Sequence, residues 1–137
     1  MKKHLQFILL IIALSSFTFL QADEPKRVED NYFGIWTVHW GNYLKRNESS
    51  IDYVDTFKIE LNPKGKLIIS CINYEYYVFS EIKPTKSSIN FLAENTEDPT
   101  ERFMINYKLK RVNHDLLKGT IHNSRGQRNH ITLKRFK

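Results

Sequence analysis

The chain of 137 residues is 26% charged and 41% hydrophobic, proportions that suit one domain with one buried core and exclude wholesale disorder. Its one cysteine, Cys71, excludes an internal disulfide, a zinc ribbon and a Cys-x-x-Cys redox pair. The formal charge of +6 is diluted among acidic residues, so it permits attraction to anionic surfaces without singling out nucleic acid, and an aromatic content of 13% leans toward pleated, half-buried surface.

Residues 1–22 have the layout of a secretory signal: a basic start at Lys2-Lys3-His4, an apolar centre from Phe7 to Leu14, and the small residue Ala22. The apolar run from Leu5 to Leu20 spans 16 residues, short of the ~20 that cross a bilayer as a helix. Cleavage after Ala22 is therefore expected, leaving a net charge of +4 and a periplasmic or secreted product. Membrane contact is expected only through an uncleaved signal. Residues 23–31 contain Pro25 and no apolar period, and are expected to form an exposed lead-in. The folded domain is expected over 32–137.

Alternation then predicts strands. The first runs from about Phe33 to Lys45, with Trp36, Val38 and Trp40 on one face. From Tyr53 to Leu61, Asp55, Phe57, Ile59 and Leu61 share a face, and Asn62-Pro63-Lys64-Gly65 makes the turn. Strands follow at Lys66–Asn73 and Tyr74–Ser80, with a polar turn at Lys83–Ser87. Ile89, Phe91 and Ala93 align in the next strand; Phe103, Ile105, Tyr107 and Leu109 align in the long one after it. The last hairpin joins Leu116–His122 to Asn129–Phe136; symmetry about Gly126 would set His122 opposite His130, Thr120 opposite Thr132 and Lys118 opposite Lys134. The connections are too short for crossover helices, so the expected fold is all-β: a small eight-stranded antiparallel up-and-down barrel after an N-terminal signal helix.

Two local features carry a family likeness. Gly34-x-Trp36 opens the first strand, and Arg135 alternates with Ile131 and Leu133, which places a charge on an apolar face. On these the domain resembles the bacterial lipocalin-like (calycin) β-barrels. The resemblance implies that Arg135 lies across the Trp36 indole and closes the barrel floor beside Gly34. It also implies a binding fold, by analogy.

The residues themselves offer Trp40, Phe57, Phe91 and Tyr107, with Tyr74, Tyr76 and Tyr77, either as the lining of a pocket or as packed barrel core. The His122 and His130 pair lies on the polar side with no third ligand indicated, so no metal is expected. Cys71 sits in an apolar strand as a small half-buried thiol. Asp55, Glu60, Glu75 and Glu81 show no pairing suited to acid–base work, and no phosphate-binding glycine loop or serine elbow is present. The expectation is an exported non-enzymatic barrel that binds a small apolar or aromatic ligand, without cofactor or nucleic acid. The alternative is a filled barrel acting as a protein–protein interaction or inhibitor module outside the cytoplasm.

Overall fold

Alternating apolar and polar residues generate eight strands in the computed structural model, which describes residues 26–40 and 55–137. The expected signal over 1–22, the extension of the first strand toward Lys45 and the turn at 47–50 lie outside the described residues. The strands are β1 (Gly34–Trp40), β2 (Asp55–Leu61), β3 (Leu67–Cys71), β4 (Tyr77–Pro84), β5 (Ser88–Asn95), β6 (Phe103–Asn113), β7 (Leu116–Asn123) and β8 (Arg128–Arg135). A 3-10 turn at Glu29–Asn31 precedes β1.

All ladders are antiparallel, in the order β3-β2-β1-β8-β7-β6-β5-β4. Strand β1 pairs on both sides, with Trp36 opposite Phe57 on one and Arg135 on the other. First and last strands are thus joined, and the sheet curls into a nearly closed barrel. Closure is incomplete between β3 and β4, where no ladder forms among the described residues. After Cys71 the chain turns away: Ile72 N–H donates to Thr56 O at 2.7 Å, and the Asn73 side-chain oxygen accepts from Thr56 N–H at 2.8 Å. Strand β4 consequently starts at Tyr77 rather than Tyr74 and runs on through Pro84, beyond the Ser80 expected from alternation. Pro84 fits there because a strand at the sheet edge need not donate from every residue. A register shift between Ser80 and Lys83, with Glu81 at φ 50°, bends this edge.

The last hairpin differs from the expected pairing. Asn123 N–H donates to Gln127 O, Gly126 N–H donates to Asn123 O, and Gly126 has φ 79°. This is a three-residue loop with glycine at its left-handed position, so the hairpin is centred on Arg125 and not on Gly126. His130 therefore faces Thr120, His122 faces Arg128, and Lys118 faces Thr132. Across its other edge, β7 sets Lys118 against Lys110. The inward faces are unaffected, because a shift of both partners preserves parity: Leu117, Ile121, Ile131 and Leu133 are all buried.

Candidate functional site at the aromatic end of the barrel

Two tryptophans four residues apart on β1 point inward at opposite ends of the barrel, roughly 13 Å apart along an extended strand. At one end Trp36 is fully buried and its Nε1–H donates to Tyr32 O at 2.8 Å. The Arg135 guanidinium carbon lies 4.3 Å from the Trp36 ring centroid. Arg135 Nε donates to His114 O at 3.0 Å, Nη2 to Asn31 O at 3.1 Å, and Nη1 to Phe33 O, while Asp115 Oδ1 is 3.4 Å from Nε. Gly34, at φ 126°, leaves room for this: a Cβ there would stand 2.7 Å from Arg135 Nη1. Tyr32, also fully buried, donates its hydroxyl to Thr85 O at 2.6 Å and ties the lead-in to the turn after β4. The alternation that marks β1 starts after Tyr32, so the sequence signal for this residue was only an aromatic next to the Gly-x-Trp opening.

The opposite end is built differently. Trp40 is half-buried and its Nε1–H donates to Asp55 Oδ2 at 3.2 Å. Asp55 lies opposite Val38 on β2, so Trp40 reaches it diagonally on the inner face. At 7% exposure Asp55 is the one buried charged side chain among the described residues, and no described cation pairs with it. Burial raises its pKa above the ordinary 3.8, against the opposing pull of the Trp40 hydrogen bond. Burial likewise raises Tyr77, Tyr107 and Cys71, and the Asp55 charge adds to the rise in each. These groups therefore share one region of low dielectric. A charged residue on the face of Phe57, Ile59 and Leu61 was visible in the alternation, and the argument that singled out Arg135 applies equally to it.

Aromatic rings surround this carboxylate. Phe57, Phe91 and Tyr107 are each 1% exposed and in mutual contact, with centroid separations of 6.2, 5.7 and 4.6 Å. Their surfaces are taken up by protein, and a ligand reaches them only by displacing a neighbour. Trp40 meets Tyr107 edge-on at 6.4 Å and keeps free surface. Toward solvent, Tyr74, Tyr76 and Tyr77 form a cluster with centroids 5.0 to 6.3 Å apart, all half-buried. They sit in the turn that leaves β3 and at the start of β4, which is why no alternation marks them as a group. Phe79 links Tyr77 to Phe57 and Phe91.

The remaining candidates stay apart from this cluster. His122 and His130 are exposed on the outer face and are not partners. Cys71 is buried, with its thiol pushed up by desolvation and so held away from thiolate chemistry. Glu60 pairs with Lys58 at 2.7 Å, Glu81 approaches Lys83 at 3.9 Å, and Glu75 is exposed. Among the described residues no three His, Cys, Asp or Glu side chains converge. Comparison with family models, curated proteins and solved structures found no match.

Proposed function

We propose that this protein is an exported, non-enzymatic, lipocalin-like barrel that binds a small aromatic or apolar ligand at the end bearing Trp40, Tyr74, Tyr76 and Tyr77. The observation that carries the reading is Asp55: a desolvated carboxylate, hydrogen-bonded by an indole and ringed by aromatic side chains. Among the described residues no cation pairs with Asp55, and a buried charge without its opposite is costly to a fold, which suits a ligand that supplies the opposite charge. Aromatic faces attract cations as well, which favours a ligand with an organic ammonium group attached to its apolar body. The enclosed rings of Phe57, Phe91 and Tyr107 act as the bed beneath this site and do not line an open cavity.

The test is titration of the tryptophan fluorescence with benzyltrimethylammonium and with benzyl alcohol as the uncharged comparison. Saturable quenching by the cation, weakened at least about tenfold in Asp55→Asn, is the expected result. Equal quenching by both compounds, unchanged in the variant, removes the role of Asp55 but keeps the aromatic site. No saturable quenching by either removes the reading.

A second reading has its own observation. Ile72 and Val78, each 53% exposed, flank the tyrosine cluster, and exposed apolar residues beside tyrosines suit a protein interface. A partner held there would be lost on Ile72→Ser together with Val78→Ser, whereas small-ligand quenching of Trp40 would survive both changes.

A further inference from the structure

Charge is segregated around the barrel. Strands β1, β6, β7 and β8 contain no Asp or Glu, while Lys108, Lys110, Lys118, His122, Arg128, His130 and Lys134 are all exposed on their outer face. None of these lysines takes part in an ion pair among the described residues. Lys110 and Lys118 stand directly opposite one another across the β6–β7 ladder. Like charges in that position repel, so the fold tolerates an unfavourable contact. Between them and β5 runs a groove of about 420 Å³, lined by Lys108, Lys110, Lys118, Ser88, Asn90 and Thr120, with side-chain-less Gly119 in its floor. Its lining offers three ammonium groups, an amide and two hydroxyls, and no carboxylate.

An apolar tip completes this wall. The register of β6 against β7 shifts between Arg111 and Asn113, and the residue left over is Val112, which is 56% exposed. Phe136, the next residue after β8, is 64% exposed. Half-buried Leu116, at the start of β7, faces Lys134 on one side and Asn113 on the other, and so lies between them. Val112 is two residues beyond Lys110, and Phe136 two beyond Lys134, at the same end of the wall. Apolar side chains at a tip with a belt of lysines behind them are what a protein needs to lie in the headgroup layer of an anionic bilayer.

From this placement we infer that the β6–β8 wall docks on an anionic phospholipid surface, with Val112 and Phe136 entering the headgroup layer and lipid phosphate seated among Lys108, Lys110 and Lys118. The site is separate from the aromatic end, on the outside of the barrel. The sequence alone led to membrane contact being expected only through an uncleaved signal; the Lys110–Lys118 pair arises from the β6–β7 register.

The experiment is co-sedimentation of the full chain with vesicles of phosphatidylglycerol mixed into phosphatidylcholine, and with vesicles of phosphatidylcholine alone. The wild type is expected to favour the anionic vesicles, less so as salt is added. Lys110→Gln combined with Lys118→Gln is expected to lower that partitioning by about tenfold or more. Its thermal midpoint should be no lower than that of the wild type, since the change removes a repulsion. Phe136→Ser should weaken binding further. Lys64→Gln with Lys66→Gln, in the turn between β2 and β3, removes the same charge elsewhere and should have a much smaller effect. Equal binding to neutral vesicles, an equal loss in the Lys64/Lys66 control, or unchanged binding in the Lys110/Lys118 variant each overturns the proposal. So does self-association through Phe136 without vesicle binding.

Discussion

The two ends of the barrel use the same parts to opposite effect. Each has a β1 tryptophan whose indole N–H is satisfied, and each has an aspartate nearby. At the Trp36 end the chain supplies its own cation, and Arg135 covers the indole while gathering three carbonyls and a carboxylate. There Asp115 is held below the ordinary carboxylate range by the His114 hydrogen bond, helped by Lys137 and Arg135. At the Trp40 end no described cation pairs with Asp55, and burial drives its pKa the other way. Charge pairing completes the first end and joins the first strand to the last. Among the described residues Asp55 has no such counter-charge, and that is the reason to look for a ligand at the second end.

The comparison can be broken most readily at the closed end. Trp36→Ala should cost about 3–5 kcal/mol, the usual loss for a buried large aromatic. Against a typical total of about 5–15 kcal/mol this leaves the variant close to unfolding, and a thermal melt near that of the wild type would contradict the structural role of Trp36. Arg135→Met keeps the apolar stem and removes the guanidinium; it should cost about 1.5–3 kcal/mol in chemical denaturation, the range for hydrogen bonds to a charged group. Trp40→Ala should cost less than Trp36→Ala, about 1–2 kcal/mol, because part of its surface is already in water.

Asp55→Asn sharpens the contrast with the smallest effect and the opposite sign. The folded pKa lies above 3.8, so the unfolded chain ionises first as pH rises, and the ionised carboxylate then destabilises the fold. The variant should therefore melt higher than the wild type at neutral pH. The gap should close as pH falls through the folded pKa and vanish below 3.8, where both states of the wild type are protonated. A variant that melts lower than the wild type at neutral pH would mean that the carboxylate is paired after all.

Parity along each strand was legible from side-chain chemistry alone. Alternation assigned Phe57, Ile59, Phe91, Tyr107, Ile131 and Leu133 inward, and all of them are buried. It put Arg135 on an apolar face, where the guanidinium covers Trp36. It also put Asp55 on an apolar face, but the meaning of a charge there depends on whether another strand brings a counter-charge. What one sequence left open was the alignment of strands with each other. The glycine in Asn123-Ser124-Arg125-Gly126-Gln127 was visible, yet whether it centres the turn or takes the left-handed place beside it decides which residue faces Lys118. Likewise nothing in Tyr74-Glu75-Tyr76-Tyr77 marks where turn gives way to strand, because that is decided by the hydrogen bond Ile72 N–H donates to Thr56 O and the one the Asn73 side-chain oxygen accepts from Thr56 N–H.

Local sequence thus determined which side chains are inside, since a pleated strand has a period of two whatever its neighbours are. Tertiary structure alone decided which charges meet, because cross-strand partners follow from turn geometry and from closure at β1 and β8. The barrel was written in the alternation; the carboxylate held by Trp40 at one end and the facing lysines on the outer wall arise only when the strands are set side by side.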